Sequence, residues 1–326
     1  MWATIWSCNK ASKIDNIIST AKKYDFNKIF VQVRYRADAL YFPNKIDSTF
    51  SNTESRCYLL KDSDFDPLQY AITKAKEAQI EIHAWVPIFV VTPHNLTKIS
   101  SSHIYYTHNE WITVDEDGKK MPNNTHEGAF LDPGIPQVQE YTLNILKDIA
   151  TNYDVSGIQL DYIRYPDSLY GYNPIALEYY KSSSYNNYPE WKQSQINSFV
   201  NKAFIMLKNI DPKLQVSAAV FGNQQKAINK FSQNWKTWLS GSYIDKIYVM
   251  AYNTSDDSFK EVLQGINDVD KTRTTIILRA WIDRGKYSVH QINRKVSISK
   301  KMGFTNFGFY SYSGLIKNNY LPHLHK

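Results

Sequence analysis

Apolar residues in this chain gather into short dense runs, and between the runs they recur at helical spacing. A run with almost no polar alternation is what a strand covered on both faces looks like. Eight such runs are present, at residues 4–6, 28–35 (KIFVQVRY), 81–89 (EIHAWVPIF), 154–163, 214–222 (LQVSAAVFG), 246–253 (KIYVMAYN), 275–282 (TIILRAWI) and 306–314 (NFGFYSYSG). Helical patterns fill most of the gaps. Ser12 is placed to cap a helix over 12–24 with Ile14, Ile17, Ile18 and Ala21 on one face, and Asp66-Pro67 opens a second helix that runs to Ala78. Further helices are expected over 136–152, 195–210, the region through 235–239, 258–269 and 289–302.

Strands that alternate with helices and carry little polar surface imply a parallel sheet, and eight units is the number that closes a (β/α)8 TIM-type barrel. A doubly wound open sheet competes, but no GxGxxG or P-loop marks a switch point. The whole chain, 1–326, reads as one domain of class α/β with long loops after strands 2, 3 and 4. The first, 44–64, is polar. The second, 91–132, lacks periodicity, but Trp111 flanked by Ile112 and Val114, with a turn at Asp117-Gly118, suggests a small hairpin. The third, 167–194, is rich in tyrosine. Loops of this length in a compact domain are usually functional or disordered.

Composition narrows the class. Aromatic residues make up 14% of the chain, with 24 Tyr and 8 Trp. That excess suits stacking against sugar rings, nucleobases or protein partners. The formal charge of +7 is dispersed rather than gathered on one motif, which argues against a nucleic-acid partner. Cys8 and Cys57 are too few for a disulfide framework or a zinc site, though both are expected in loops after neighbouring strands, where one bridge could form. No apolar stretch is long enough to span a membrane. The N-terminus enters a strand at once, so either the protein is cytoplasmic or a signal segment has been removed before the first residue.

The stretch GIQLDYIRYP, 157–166, is the most informative. Asp161 stands where a strand buried on both faces runs out, and desolvating its carboxylate costs several kcal/mol unless it is paired or used. It is therefore bonded to a partner such as Arg164 or kept for chemistry. In a barrel of this type the strand C-termini build the active site. The polar and aromatic residues there are Asn9; Arg34, Arg36 and Asp38; Trp85 with the Asn109–Trp111 loop; Asp161 and Arg164; Tyr252 and Asn253; Arg279, Trp281 and Asp283; and Tyr310, Ser311 and Tyr312. Rings for stacking and carboxylates for protonating a glycosidic oxygen are the inventory of a polysaccharide cleft. Metal chemistry has little support, because His83, His94, His103, His108 and His126 show no HExxH or HxH spacing, and no GxSxG marks a serine nucleophile. No cofactor is implied. Asp132 precedes Pro133 and a helix, so a turn or capping role competes with catalysis, and Asp38 could be held by Arg34 or Arg36 in a structural pair.

The segments FVQVRYRADALYFP, NEWITVDEDGKK, FLDPGIPQVQEY through GIQLDYIRYP, and VMAYN resemble the successive motifs of the bacterial glycosyl-hydrolase-like family 10, which includes a division-associated enzyme that cuts peptidoglycan glycan strands. The resemblance implies a TIM-type barrel, endo-acting hydrolysis of an amino-sugar polysaccharide and a periplasmic, cell-surface or secreted location. It carries the family's strand-four aspartate onto Asp161, the strand-two Arg and Asp onto Arg34 and Asp38, the loop tryptophan onto Trp111, and the FLDPG aspartate onto Asp132. One departure stands out against the DxDxE pattern of chitinase-like barrels: Gln159 and Ile163 occupy the places of its first acid and its glutamate. Asp161 is thus expected as general acid, with Asp38 or Asp132 as the second carboxylate. Arg34, Trp85, Asn109, Trp111, Arg164, Tyr252, Asn253, Arg279, Trp281 and Tyr310 are expected to bind substrate. The competing readings are a barrel that binds glycan without cutting it, and a hydrolase of another polymer such as poly-glucosamine, an α-glucan or a capsule.

Overall fold

Eight parallel strands lie side by side in chain order in the computed structural model, which describes residues 1–46, 52–60, 63–281 and 288–325. They are β1 (Trp2–Ala3), β2 (Lys28–Gln32), β3 (Glu81–Pro87), β4 (Gly157–Asp161), β5 (Gln215–Phe221), β6 (Lys246–Met250), β7 (Thr274–Arg279) and β8 (Phe307–Tyr310). Helices connect them, so the fold is the expected (β/α)8 barrel, nearly closed. No ladder joins β8 to β1 among the described residues, yet the two edges meet. A Cβ on Gly308 would stand 2.6 Å from the indole of Trp2, so only a glycine lets the tryptophan reach across that seam.

The register of the ladders sorts the strand residues onto two faces. Phe30 is opposite His83, and His83 is opposite Gly157, so these positions point the same way. The outward set, including Ile29, Val31, Ile158, Leu160, Val216 and Val249, merges with helix residues such as Ile17, Ala71, Ile145 and Leu207 into the main core. The inward set forms a separate cluster of Trp2, Phe30, Trp85, Tyr248 and Ile277 that fills the barrel. Trp2 stacks on Phe30 at 4.4 Å and donates its indole N–H to Gln159 Oε1 at 2.6 Å. Gln159 therefore serves the interior packing. His83 also faces this interior, with Nε2 2.9 Å from Glu81, and burial pushes its imidazole down to about 4, which leaves it neutral at pH 7.

Several local expectations are corrected. The first strand lies at Trp2–Ala3, and 5–8 is a helical turn, so the apolar run continues past the point where pairing stops. The first long helix, Ala11–Lys23, starts after Lys10 without a side-chain cap, and Ser12 lies inside it. The second strand ends at Gln32; Arg34–Tyr35 and Asp38–Ala39 then pair as a tiny hairpin whose turn residues Arg36 and Ala37 both have positive φ. Asn109–Trp111 itself forms a 3-10 turn, while the small hairpin expected after it is present: Val114 bridges Lys120 over the turn at Gly118, and Ile112 bridges Leu131. The tyrosine-rich connection contains a helix, Pro174–Lys181, and the following helix starts at Tyr188 rather than 195. The last strand stops at Tyr310 and a helix, Tyr312–Lys317, follows. Cys8 and Cys57 are both buried free thiols, pushed by burial up to about 12 and about 11. Asp283 lies outside the described residues.

The seam offers a test of closure. Gly308→Ala should lower stability by ~1–3 kcal/mol through overpacking against Trp2, read as a fall in the urea midpoint. A midpoint equal to wild type would mean that the tryptophan does not bridge the two edge strands.

Candidate active site

The cleft at the C-terminal mouth of the barrel is built around the end of β4. Strand pairing stops at Asp161, and the next residue, Tyr162, turns the chain with φ of 52°, a left-handed conformation that non-glycine residues adopt at a cost of about 1–3 kcal/mol. The turn folds the carboxylate back onto its own chain. Tyr162 N donates to Asp161 Oδ1 at 2.8 Å, and the indole N–H of Trp85, one strand over, donates to Oδ2 at 2.8 Å. Burial raises the Asp161 carboxyl above its ordinary range, and these two donors together with Arg164 partly offset that effect.

Aromatic rings wall the space above this carboxyl. Tyr252 meets Trp281 edge-on at 5.0 Å and lies tilted to Tyr310 at 6.0 Å, while Tyr310 stands edge-on to Trp85 at 5.8 Å. With Asn253, Phe221 and Met250 they enclose a cleft of about 490 Å³. That volume fits a small number of sugar rings rather than a single ion. Arg279 lies over the Trp281 ring at 4.6 Å and is 6% exposed, so it supports the aromatic wall from behind.

A second carboxylate lines the same cleft, and sequence reasoning missed it. Glu127 sits in the loop after β3, and its Oε2 lies 3.6 Å from the Arg164 guanidinium. Its place is fixed by its neighbour Gly128, which has φ of 122°; a Cβ there would lie 1.8 Å from the carbonyl oxygen of Thr92. Ala129 N also donates to Thr92 Oγ1 at 2.7 Å, so the loop is pinned against the barrel and Glu127 is held at the mouth. The only hint in the sequence is a lone Glu-Gly inside an aperiodic loop. Arg164 itself is buried among Phe130, Tyr162, Phe221 and Phe231, and donates to the carbonyls of Tyr165 and Pro166.

The structure thus brings Trp85, Asp161, Arg164, Tyr252, Asn253 and Tyr310 to one cleft, with Trp281 against its rings. Five other candidates lie elsewhere. Arg34 is buried, its guanidinium 2.6 Å from Glu54 and donating to the carbonyl of Ile88 at 2.7 Å, so it staples β2 to the end of β3 instead of facing a ligand. Asp38 is buried beside that pair; desolvation first, then Glu54, pushes its carboxyl up to about 8. Asp132 is fully buried and accepts from Thr113 Oγ1 at 3.0 Å and Gly134 N at 2.9 Å, which fixes the loop leading into the helix Pro136–Asn152. Trp111 stacks on His108 at 4.0 Å, and Asn109 donates to the Tyr105 carbonyl and accepts from Lys120, all away from the cleft lining. No cluster of His, Cys, Asp and Glu suited to a metal occurs among the described residues.

A parallel (β/α)8 barrel with an acid at the end of β4 and an aromatic cleft above it is the architecture of the glycoside-hydrolase barrels. Solved structures agree on the fold. The glycoside hydrolase domain of PgaB (BpsB) from Bordetella bronchiseptica superposes with a TM-score of 0.71 at 14% identity, covering 95% of this chain and 91% of that one. The α-L-fucosidase isoenzyme 2 of Paenibacillus thiaminolyticus gives 0.66 at 11% identity, over 94% of this chain and 44% of that one. The chain belongs to the Glycosyl hydrolase-like 10 family, whose match spans residues 3–300. Among curated relatives, the glycosyl hydrolase DigH of Escherichia coli K12 is 23% identical over 223 residues, 64% of this chain. The chain spans under half, 46%, of that relative's length.

Two measurements follow from the geometry. Trp85→Phe keeps a ring but removes the donor that favours the Asp161 carboxylate, so the pKa should rise further. Wherever activity needs the protonated acid, the alkaline limb of the pH–rate profile should move to higher pH; an unmoved limb would show that the indole N–H does not tune this group. Asp38 gives the second. The folded state holds its proton up to about 8, whereas the unfolded chain releases it near the ordinary value of 3.8. The stability contributed by this group is fully present below that ordinary value and is lost as pH rises towards the folded pKa. Asp38→Asn should therefore gain stability relative to wild type as pH is raised from about 5 to about 8, and a difference that stays constant with pH would contradict the assignment.

Proposed function

We propose that the protein hydrolyses the glycosidic bonds of an amino-sugar polysaccharide, with peptidoglycan glycan strands as the leading substrate, and that it works outside the cytoplasm. The observation that carries this reading is Asp161: an acid at the end of β4, raised by burial, on the floor of a cleft walled by Trp85, Tyr252 and Tyr310 and shared with Glu127. Family membership supports a hydrolase, and the resemblance of the chain's motifs to a family that includes a peptidoglycan-cutting enzyme favours that polymer. The chitobiase of Flavobacterium johnsoniae, an enzyme of the same barrel fold with a TM-score of 0.56, is one neighbour whose name refers to an amino sugar.

In this mechanism the protonated Asp161 gives its proton to the glycosidic oxygen as the bond to the anomeric carbon breaks. The carboxylate left behind is the form that Trp85 Nε1 and Tyr162 N stabilise, so those donors act more strongly in the transition state than before it. Glu127, beside Arg164, supplies the second carboxylate that Asp38 and Asp132 are placed too deep to provide. It faces the developing positive charge or activates the attacking water. Sugar rings stack on Tyr252, Trp281 and Tyr310.

The test is mass spectrometry of soluble products from peptide-free glycan strands and, in parallel, from partly deacetylated poly-glucosamine, with wild type and Asp161→Asn. Wild type should release oligosaccharides whose end groups identify the bond cut, and the variant should be slower by about 10²–10⁴-fold. Equal product from both proteins would remove Asp161 from the mechanism. Binding without product on either polymer would favour a barrel that holds glycan without cutting it.

A further inference from the structure

Glu127 lines two cavities, and the second has no assigned role. It opens beside the cleft, has a volume of about 460 Å³, and is bordered by Tyr35, Arg36, Tyr58, Lys98 and His126 as well as Glu127. Its charges are unbalanced. Glu127 is already turned to Arg164, and His126 is 2.7 Å from Asp167. Arg36 and Lys98 form no ion pair among the described residues; the Arg36 guanidinium lies 5.3 Å over Tyr35 and 5.7 Å over Tyr162, and the Lys98 ammonium lies 5.1 Å over Tyr58. Arg36 Nε is buried without a hydrogen-bond partner among the described residues, although burying such a donor unpaired is costly. The turn that presents it is also strained, with φ of 54° at Arg36 and 62° at Ala37.

An unmatched guanidinium beside an ammonium, over tyrosine faces, is suited to a carboxylate attached to a ring. Trp6 extends the same wall outwards: it is 52% exposed and stands edge-on to Tyr35 at 5.6 Å, leaving its face free to stack. We propose that this cavity is a subsite for a carboxylate-bearing sugar next to the scissile bond, with Arg36 and Lys98 gripping the carboxylate and Trp6 stacking on the following ring. The proposal rests on the glycan-cleft reading above, to which it adds Arg36 and Lys98 as the residues that read the carboxylate of an acidic sugar, such as one bearing an O-lactyl group.

The experiment is calorimetric binding to the slowed Asp161→Asn protein. The probes are a peptide-free tetrasaccharide of alternating N-acetylglucosamine and N-acetylmuramic acid, and the same compound with its carboxyls reduced to alcohols. Reduction should weaken binding by roughly 10-fold or more, the scale of a charge-assisted contact. Adding Arg36→Gln and Lys98→Gln should abolish that discrimination while leaving affinity for the reduced compound unchanged. Equal affinity for the two compounds, or no binding of either, overturns the subsite. Both comparisons are made without turnover, so they are independent of catalysis. Discrimination in a protein whose wild type cuts no polymer would sink the hydrolase and keep the subsite, and cutting without discrimination would do the reverse.

Discussion

The Asp161 carboxyl is held at the boundary between a buried strand and an aromatic cleft, and the rest of the mouth is arranged to tolerate it there. Burial favours the neutral acid, while Trp85 Nε1 and Tyr162 N favour the anion. A group pulled in both directions can be a proton donor in one state and a stabilised carboxylate in the next. The left-handed turn at Tyr162 is the local cost of that arrangement, and it is borne by a strand whose outward face, Ile158 and Leu160, is fully packed into the core.

Stiffness around the site comes from contacts that never touch a ligand. Arg34 joins the end of β2 to the carbonyls at the end of β3 and to Glu54, which also accepts from Tyr141 Oη at 2.5 Å. Removing one partner from such a pair leaves a charge uncompensated, which is more damaging than the pair is stabilising. Asp132, Thr113 and Asn173 hold the loop after β3 in the same way, with Asn173 donating to the carbonyl of Ile112 at 2.9 Å. The family motifs on strand two and FLDPG therefore contribute residues that build the mouth, whereas the cleft itself is lined from β1, from β3 through β8 and by Glu127.

The barrel was legible because strands buried on both faces are written as apolar runs, and eight of them alternate with helices. Errors arose where a run and an element part company. At the N-terminus the apolar residues continue through Ile5 after pairing has ended, because Ile5 opens a helical turn and packs against Leu40, Cys57 and Leu60. The helix Pro174–Lys181 was hidden because its one fully buried residue is the small Ala176 and its Tyr179-Tyr180 pair, exposed and half-buried, reads as part of a sticky loop. In the site, Asp161 was legible from a lone acid in an apolar strand. Asp38 and Arg34 were equally polar at a strand end, but a two-residue hairpin folds them inward, and nothing in local sequence signals so short a pairing. Glu127 and Arg36 owe their positions to loop contacts far apart in sequence, Gly128 on Thr92 and the Arg36 carbonyl on His103, which periodicity does not encode.

The proposed role of Asp161 as proton donor to the leaving group is tested most directly by varying the leaving group. Wild type and Asp161→Asn would be compared on one oligosaccharide carrying either an alcohol of ordinary acidity or a strongly acidic phenol at the bond to be cut. A phenolate needs no proton to depart, so the defect of the variant should shrink from the ~10²–10⁴-fold expected for lost acid catalysis to a small factor on the phenol. An equal defect on both substrates would contradict the assignment and mean that Asp161 acts through structure or binding instead.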